Sequence, residues 1–353
     1  MLYEEPYVVP SEDAYGGVKT MKIILLPLEP LEIRYTAQWD KWFPQELDRL
    51  KADYRVIKGI QLTGDIKLGD VLDAYGTNYW KATQMANLIR AMYRGEVTSD
   101  DVLLFADLWS PGIEALRYIS DMGGVKPKIT GILHAGTWDP NDFTYRNKMR
   151  PWAHGIEDSW FKIFDKIFVG SYYHRDLIMQ NHTVDEQKIV VTGLPFYPED
   201  FTARSARKSK YKIAFPHRLA PEKHPEEFGL LLSRHRKLVG TMTAEHFTTK
   251  EEYYHELANS SIAVSFADQE TFGYAMLEAT ALWNIPLVPD RLSYKELYPK
   301  LFRYNSLIDL DNKIRAILRN GEPYYDKLGQ VQEKHKSIGH NAILNMVRSI
   351  ITF

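Results

Sequence analysis

Two glutamates that follow an apolar run carry the clearest chemical signal in this chain. Glu270 and Glu278 stand eight positions apart within the string SFADQETFGYAMLEATALWNIPLVPD, residues 265–290. Glutamates about two helical turns apart fall in a common sector of a helix surface, where their carboxylates are suited to accept hydrogen bonds from sugar hydroxyl groups. The alternative interpretation is an amphipathic helix with two solvent-facing glutamates.

The backbone around Glu270 is suited to hold an anion. Phe266 ends a predicted strand, so the loop Ala267–Gly273 lies at the carboxyl end of a sheet, where open α/β sheets bind their ligands. A helix is predicted to begin near Thr271 or Phe272, and its first amides carry a partial positive charge that favours a diphosphate. Gly273 lets this backbone approach a ligand closely.

Two cations precede the glutamates in the chain. The string FPHRLAPEK, residues 215–223, places Arg218 and Lys223 five positions apart after another predicted strand. Arginine makes bidentate contacts with phosphate, and lysine supplies a movable point charge. Two such cations stabilise the negative charge that develops when a sugar–phosphate bond is cleaved. For either residue alone, an exposed position on a loop is the simpler interpretation.

Taken together, these strings closely resemble the E-x7-E signature of retaining GT-B glycosyltransferases, which use nucleotide-sugar donors. The resemblance implies that Arg218 and Lys223 contact the donor diphosphate, and that Glu270 meets the sugar and Glu278 the ribose. It also implies a donor-binding segment that contains Thr271, Phe272, Gly273 and Tyr274. The mechanism implied is front-face attack with retention at the anomeric carbon, in which the leaving phosphate helps to deprotonate the acceptor.

Two residues of the first half have a comparable position in the pattern. His134 ends the apolar run ITGIL, and Asp107 follows VLLFA. Members of the family that this chain resembles often place a histidine at such a point against the donor sugar. Asp107 is a candidate to bind or orient the acceptor hydroxyl. A structural role is the alternative for each.

The chain also departs from the family pattern. A glycine-rich loop after Lys22–Leu26 is missing, and Pro27–Pro30 stands in its place. Asn284 replaces the usual glycine before the strand IPLV, and it tolerates the positive φ expected there. A catalytically silent nucleotide-sugar-binding protein on the same scaffold is therefore a rival hypothesis.

Short apolar strands alternate with helices along the whole chain. This alternation predicts an α/β protein with parallel sheets covered on both faces, arranged as two Rossmann-like domains. The resemblance implies the GT-B class, in which two such domains face each other across a cleft. The predicted strands are Lys22–Leu26, Tyr54–Ile57, Val102–Phe105, Ile129–Leu133, Lys166–Val169, Lys188–Val191, Lys212–Phe215, Lys237–Val239, Ile262–Phe266, Ile285–Val288 and Ser306–Ile308.

The domain boundaries follow from breaks in this alternation. Residues 1–200 are predicted to form the acceptor-side domain, in which 1–20 is a possible extension, and residues 201–323 the donor-binding domain. Residues 324–353 look helical, and the resemblance implies that they cross back to pack on the first domain.

Composition excludes several classes of protein. The 44% hydrophobic and 25% charged residues are ordinary for a soluble globular protein, and the net charge of −2 is not that of a polycation. The absence of cysteine excludes disulfides, thiolate metal sites and a cysteine nucleophile. No apolar run is long enough for a membrane span, and the N-terminus does not read as a signal peptide, so the expected compartment is the cytoplasm.

No metal is expected in the reaction. Asp309-Leu310-Asp311 has the letters of a D-x-D metal motif, but it precedes a helical run, where aspartate is an ordinary N-cap. Arg218 and Lys223 can supply the positive charge that a metal would bring. A nucleotide-diphosphate sugar is thus expected as donor substrate, without a cofactor.

The acceptor is predicted from two basic clusters. They are Arg204, Arg207, Lys208, Lys210 and Lys212 near the hinge, and Arg146, Lys148 and Arg150 with Trp152. Basic residues interleaved with aromatics suit phosphate contacts and base stacking. The opening MKIILLPLEPLEIRYTAQWDKWFP resembles glycosyltransferase-like proteins of tailed bacteriophages, some of which modify their own DNA. This resemblance favours a hydroxymethylated pyrimidine in DNA, with a polysaccharide or lipid glycan as the alternative acceptor.

Overall fold

The computed structural model describes residues 21–32, 34–62, 73–110, 112–201, 208–242, 247 and 249–352. The predicted extension, residues 1–20, lies outside the described residues, as do Arg204 and Arg207 of the hinge cluster.

The first sheet has six parallel strands in the order β2-β1-β3-β4-β5-β6. They are β1 (Ile23–Leu26), β2 (Tyr54–Val56), β3 (Val102–Phe105), β4 (Lys128–Ile132), β5 (Lys166–Val169) and β6 (Ile189–Val191). The helices of this half are α1 (Tyr35–Arg49), α2 (Gly76–Tyr93), α3 (Ile113–Gly123), α4 (Phe143–Arg146), α5 (Arg150–Ile163) and α6 (Tyr172–Asn181).

The second sheet has five parallel strands in the order β11-β10-β9-β7-β8. They are β7 (Ser209–Phe215), β8 (Val239–Met242), β9 (Ser260–Val264), β10 (Ile285–Pro289) and β11 (Arg303–Tyr304). Its helices are α7 (Pro225–Arg234), α8 (Lys250–Asn259), α9 (Tyr274–Ala281), α10 (Tyr294–Leu297), α11 (Leu307–Arg319) and α12 (Glu322–Ile351).

Burial explains why these strands read as continuous apolar runs. All four residues of β1 are buried, Ile23 and Leu25 in one core cluster and Ile24 and Leu26 in the other. Successive side chains of a strand point to opposite faces, so the two clusters are the two covered faces of the first sheet. The cluster that holds Ile23 continues into the core of the second sheet.

The last helix joins the two halves of the molecule. α12 contacts α1 and β5 of the first half as well as α9 and β10 of the second. This confirms the C-terminal helix that the resemblance implied. None of the helices among the described residues combines the length and the apolar character that a membrane crossing requires.

Three local predictions were wrong. Residues Ser306–Ile308 do not form a strand, because the Ser306 hydroxyl accepts the amide of Asp309 at 3.2 Å and caps α11. Because Ser306 is the N-cap, Asp309 and Asp311 of the D-x-D string lie inside α11 instead of before it. Asn284 does not carry the positive φ, which belongs to Trp283 at 64°.

Candidate functional site

The loop between β9 and α9 sets the geometry of the site. α9 begins at Tyr274, later than the predicted start at Thr271 or Phe272, because Gly273 takes a left-handed conformation with φ 82° at the N-cap. Any other L residue would be strained there, and its Cβ would lie 3.1 Å from the ring of Tyr294. Gly273 thus lets the backbone turn into α9 and present its first amides at the sheet edge.

The late start of α9 separates the two glutamates. Glu270 lies in the loop and Glu278 lies on the helix, so the prediction that they share a sector of one helix surface was wrong. Glu278 is only 3% exposed. The alternative of two solvent-facing glutamates is therefore wrong as well.

Lys223 and Glu270 form an ion pair in the cleft. Nζ of Lys223 lies 2.8 Å from Oε1 of Glu270 and also donates to the carbonyl of Gln269. Lys223 is 4% exposed, so little water screens this pair. The same Glu270 oxygen lies 4.0 Å from Nδ1 of His217. Burial, reinforced by the charges of Lys223 and Arg218, holds the pKa of His217 well below its usual range, so this ring is neutral.

Arg218 makes its ion pair with a different carboxylate. Its Nη2 lies 2.5 Å from Oε1 of Glu222, and Nη1 of Arg146 lies 2.6 Å from Oε2 of the same residue. Glu222 is buried and follows Pro221 in a short 3-10 turn that ends at Lys223. One carboxylate therefore orients Arg218 and binds an arginine from the first half of the chain.

Glu278 belongs to a separate buried network. Its Oε1 accepts from Nζ of Lys250 at 2.6 Å and from the hydroxyl of Tyr254 at 3.0 Å. Nε2 of Gln38, on α1, donates to the Tyr254 hydroxyl at 2.8 Å. The chain of contacts runs from the first half of the molecule to α9 and fixes the orientation of the carboxylate.

A series of aromatic contacts connects His134 to α9. Its Nε2 lies 2.8 Å from the carbonyl of Ala106, which fixes that nitrogen as the donor and Nδ1 as the acceptor. The His134 ring lies 5.3 Å from Trp39 and 6.2 Å from Tyr35, and Tyr35 stacks on Tyr274 at 4.7 Å. Burial lowers the pKa of His134, so the imidazole is neutral near pH 7.

Asp107 is neutralised by a lysine. Its Oδ2 lies 2.8 Å from Nζ of Lys81, and its Oδ1 accepts the amide of Trp109 at 3.0 Å. Burial raises the pKa of the Tyr35 hydroxyl, and the negative charges of Asp107 and Glu270 add to this effect while Arg34 opposes it. The charge of Asp107 is itself compensated by Lys81.

The remaining predicted donor residues contribute backbone and packing. The carbonyl of Thr271 accepts from the Ser171 hydroxyl at 2.6 Å, and Phe272 is buried. The Tyr274 hydroxyl donates to the carbonyl of Pro195 at 2.6 Å. The Thr271 carbonyl and the Tyr274 hydroxyl thus hold the loop against the first half.

A turn of the first half contacts the loop between β9 and α9. Asp139 accepts a hydrogen bond from Gln269, and Nδ2 of Asn141 donates to the carbonyl of Asp268 at 3.2 Å. Burial raises the pKa of Asp139 to about 6, while Asn141 and the positive charge of Lys223 act in the opposite direction. The sequence predicted only a turn at this place.

Sequence reasoning missed three residues that contact the predicted ones. His217 and Glu222 stand beside Arg218 and Lys223 in the string that was singled out, so their types and places were a usable signal. Lys250 contacts Glu278 over 28 positions, and Arg146, which was assigned to the acceptor cluster, contacts Glu222 over 76 positions; the local pattern holds no signal for either contact.

The D-x-D aspartates are engaged with protein groups. Asp311 lies 3.1 Å from Nε of Arg234 and 2.9 Å from Nε2 of His235, and Asp309 accepts the amide of Asn305. Asp309 and Asp311 lie on α11. Among the described residues, neither aspartate contacts Lys223 or Glu270.

Comparison with known proteins shows the fold. No protein-family model matches the chain. Sucrose-phosphate synthase from Thermosynechococcus elongatus superposes with a TM-score of 0.65 at 10% identity, over 94% of this chain and 99% of that one. A UDP-forming α,α-trehalose-phosphate synthase from Burkholderia xenovorans gives a TM-score of 0.59 at 12% identity, over 95% and 100% of the two chains. The chain has the GT-B fold of glycosyltransferases, with two Rossmann-like domains facing across a cleft.

One sequence relative covers a limited part of the chain. A tRNA-queuosine alpha-mannosyltransferase of Drosophila melanogaster is 38% identical over 95 residues, which make up 27% of this chain and 24% of that protein. The match thus spans about a quarter of the length of each.

Proposed function

We propose that this protein is a retaining glycosyltransferase that moves a sugar from a nucleotide-diphosphate sugar to an acceptor hydroxyl. The observation that carries the proposal is the buried Lys223–Glu270 pair at 2.8 Å, directly before the helix that Gly273 opens. A cation, a carboxylate and free amides at the first turn of a helix are the groups that bind a sugar diphosphate.

The reaction has a simple balance. The bond between the anomeric carbon and the diphosphate breaks, and its electron pair stays on the phosphate oxygen. The acceptor oxygen bonds to the same face of the anomeric carbon, and its proton passes to the leaving phosphate. No side chain acts as nucleophile. Lys223, Arg218 and the first amides of α9 stabilise the charge on the leaving group.

The carboxylates and His134 position the donor. Glu270, oriented by Lys223, accepts hydrogen bonds from the sugar hydroxyls. Glu278 accepts from the ribose through Oε2, since its Oε1 is already bound by Lys250 and Tyr254. His134 is neutral, and it contacts the sugar with the acceptor nitrogen Nδ1.

The proposal requires no metal ion at the diphosphate. Arg218 is held by a buried carboxylate and Lys223 is itself buried, so both cations are fixed before the donor arrives. The activity is expected to persist after treatment with a chelator.

A nucleic-acid base is the proposed acceptor. α4 and the start of α5 place exposed Tyr145 and Trp152 among Lys148, Arg150 and Arg146. Arg146 reaches the cleft, where it contacts Glu222, so the basic and aromatic surface continues to the site. Such a surface suits phosphates and stacked bases. The favoured acceptor is a hydroxymethylated pyrimidine in DNA, as in the phage proteins that the N-terminal half resembles.

A modified base in tRNA is the second candidate acceptor. It is favoured by the name of the Drosophila melanogaster relative, which acts on tRNA-queuosine. The two candidates share a hydroxyl group on a modified base or its substituent, and they differ in the nucleic acid that presents it.

The test is a release assay with a panel of UDP- and GDP-sugars. Released nucleoside diphosphate is measured with the protein alone, with hydroxymethylated DNA, with the matched unmodified DNA and with tRNA. Stimulation by hydroxymethylated DNA alone supports the first acceptor, and stimulation by tRNA alone supports the second. Release without stimulation by any nucleic acid contradicts both acceptors. If the protein neither binds nor cleaves any donor of the panel, the result contradicts the transferase proposal itself.

A further inference from the structure

Three side chains between α5 and α6 converge at a distance from the cleft site. His154 and Asp158 lie one turn apart on α5, and His182 is the C-cap residue of α6. Their potential ligand atoms all lie within 4.8 Å of one another. Nδ1 of His182 lies 2.7 Å from Oδ1 of Asp158, and Nε2 of His154 lies 3.8 Å from Oδ2.

These distances are close to those of a metal site. Zinc binds imidazole nitrogen and carboxylate oxygen at about 2.0–2.2 Å, so two ligand atoms on one ion lie roughly 3–3.5 Å apart. The i, i+4 spacing of His154 and Asp158 puts both on one helix face, and the ring centroids of His154 and His182 lie 4.5 Å apart with the rings tilted by 30°. Small side-chain rotations bring the three atoms to coordination distance.

The second nitrogen of His182 faces a fixed carboxylate. Its Nε2 is buried without a hydrogen-bond partner among the described residues and lies 3.5 Å from Oε2 of Glu157. Glu157 is held by the amide and hydroxyl of Thr137 and by the indole of Trp109. A metal-bound imidazole usually donates the hydrogen of its other ring nitrogen to a carboxylate, which fixes the orientation of the ring.

The surroundings also suit an ion. The rings of Phe161 and Trp138 pack against His182 at 4.8 and 5.6 Å and exclude water on one side. The side chain of Asp158 is 44% exposed, which leaves a path for the ion and room for a water ligand. The chain lacks cysteine, so nitrogen and oxygen ligands are what it can offer to a transition metal.

We propose that His154, Asp158 and His182 bind one zinc ion that joins the end of α6 to α5. The ion takes His154 Nε2, one Asp158 oxygen and His182 Nδ1, and water fills the fourth position. This site stabilises the first domain and takes no part in cleaving the donor.

The test uses the untagged full chain, stripped with a chelator and then titrated with Zn²⁺ in a calorimeter. Co²⁺ is the optical probe, because a tetrahedral nitrogen–oxygen site gives it visible absorption. The variants are His154→Ala, which leaves the His182–Asp158 contact in place, and Asp158→Asn. His255→Ala, at an exposed histidine of α8, is the matched control.

The expected result is one equivalent of Zn²⁺, and a thermal unfolding midpoint that rises with zinc in the wild type and the control. Each of the two site variants is expected to bind zinc at least ~10-fold more weakly. Equal affinity in His154→Ala and the wild type overturns the proposal, as does a wild type that binds no metal. If the wild type binds no metal, the cluster is instead a protonated His182 held between Glu157 and Asp158.

Discussion

Nη1 of Arg146 lies 2.6 Å from Oε2 of Glu222, and this ion pair joins the two domains beside the proposed diphosphate site. The other oxygen of Glu222 holds Arg218 at 2.5 Å. One carboxylate therefore holds Arg218 and an arginine of the first domain at the same time.

Removing Arg146 should weaken donor binding more than it slows the chemical step. In Arg146→Ala, Glu222 loses one of its two cations and the two domains lose a contact beside the proposed diphosphate site, so KM for the donor should rise by about 10-fold. The measurement is donor hydrolysis over a range of donor concentrations. Lys148→Ala, an exposed cation two positions on, should keep the wild-type KM. A fall in kcat at constant KM would show that Arg146 acts elsewhere.

Glu278 should let the protein distinguish ribose from deoxyribose. A carboxylate that accepts hydrogen bonds from the ribose hydroxyls favours UDP over 2′-deoxy-UDP by about 10-fold, since such a charged hydrogen bond contributes about 1.5–3 kcal/mol. Glu278→Gln should bring the two affinities close together. Calorimetric titration with both nucleotides checks this. Unchanged discrimination in the variant would remove Glu278 from the ribose site.

The cleft residues illustrate what local pattern can and cannot predict. Spacing and residue type were enough to single out Glu270 and Lys223, because both follow strands whose apolar runs are unmistakable. The helix start was misplaced since nothing in the sequence required Gly273 to be left-handed. The left-handed conformation of Gly273 places the helix start at Tyr274, four positions after Glu270.

Asp139 should make stability depend on pH. Burial raises its pKa from 3.8 to about 6, so the folded chain binds this proton more tightly than the unfolded chain does. Its contribution to the free energy of unfolding then falls as pH rises from about 4 to about 6, and it stays unfavourable above that window.

Asp139→Asn removes this titration while it keeps an oxygen for the amide of Asn141. The free energy of unfolding of the variant, relative to the wild type, should increase between about pH 4 and pH 7.5. The increase is at most about 3 kcal/mol, because one pKa unit corresponds to ~1.4 kcal/mol. Urea unfolding at both pH values measures it. An equal difference at the two pH values would mean that Asp139 ionises normally.

His134 should act on turnover and leave nucleotide binding unchanged. In the proposed site its ring contacts the donor sugar, and burial lowers its pKa, so it stays neutral near pH 7. His134→Ala should reduce kcat by about 10-fold or more, through the loss of one hydrogen bond in the transition state, and should bind UDP as the wild type does. A large loss of UDP affinity would place this histidine against the nucleotide.

Long-range ion pairs account for the part of the site that the sequence did not reveal. Lys250 and Glu278 are 28 positions apart, and Arg146 and Glu222 are 76 positions apart. The first contact depends on how α8 packs on α9, and the second on how the end of α4 lies against the second domain. The apolar side chains of Leu307 and Ile308 likewise predicted a strand. The hydroxyl of Ser306 caps a helix there instead.

The most direct test of the account is the release of nucleoside diphosphate from a nucleotide sugar by wild type, Lys223→Ala and Arg218→Ala. Lys237→Ala, an exposed lysine of the same domain, is the control. We predict at least ~10²-fold slower release in both site variants and a wild-type rate in the control, because the leaving diphosphate loses a fixed cation. Wild-type rates in Lys223→Ala and Arg218→Ala would contradict the assignment of the diphosphate site.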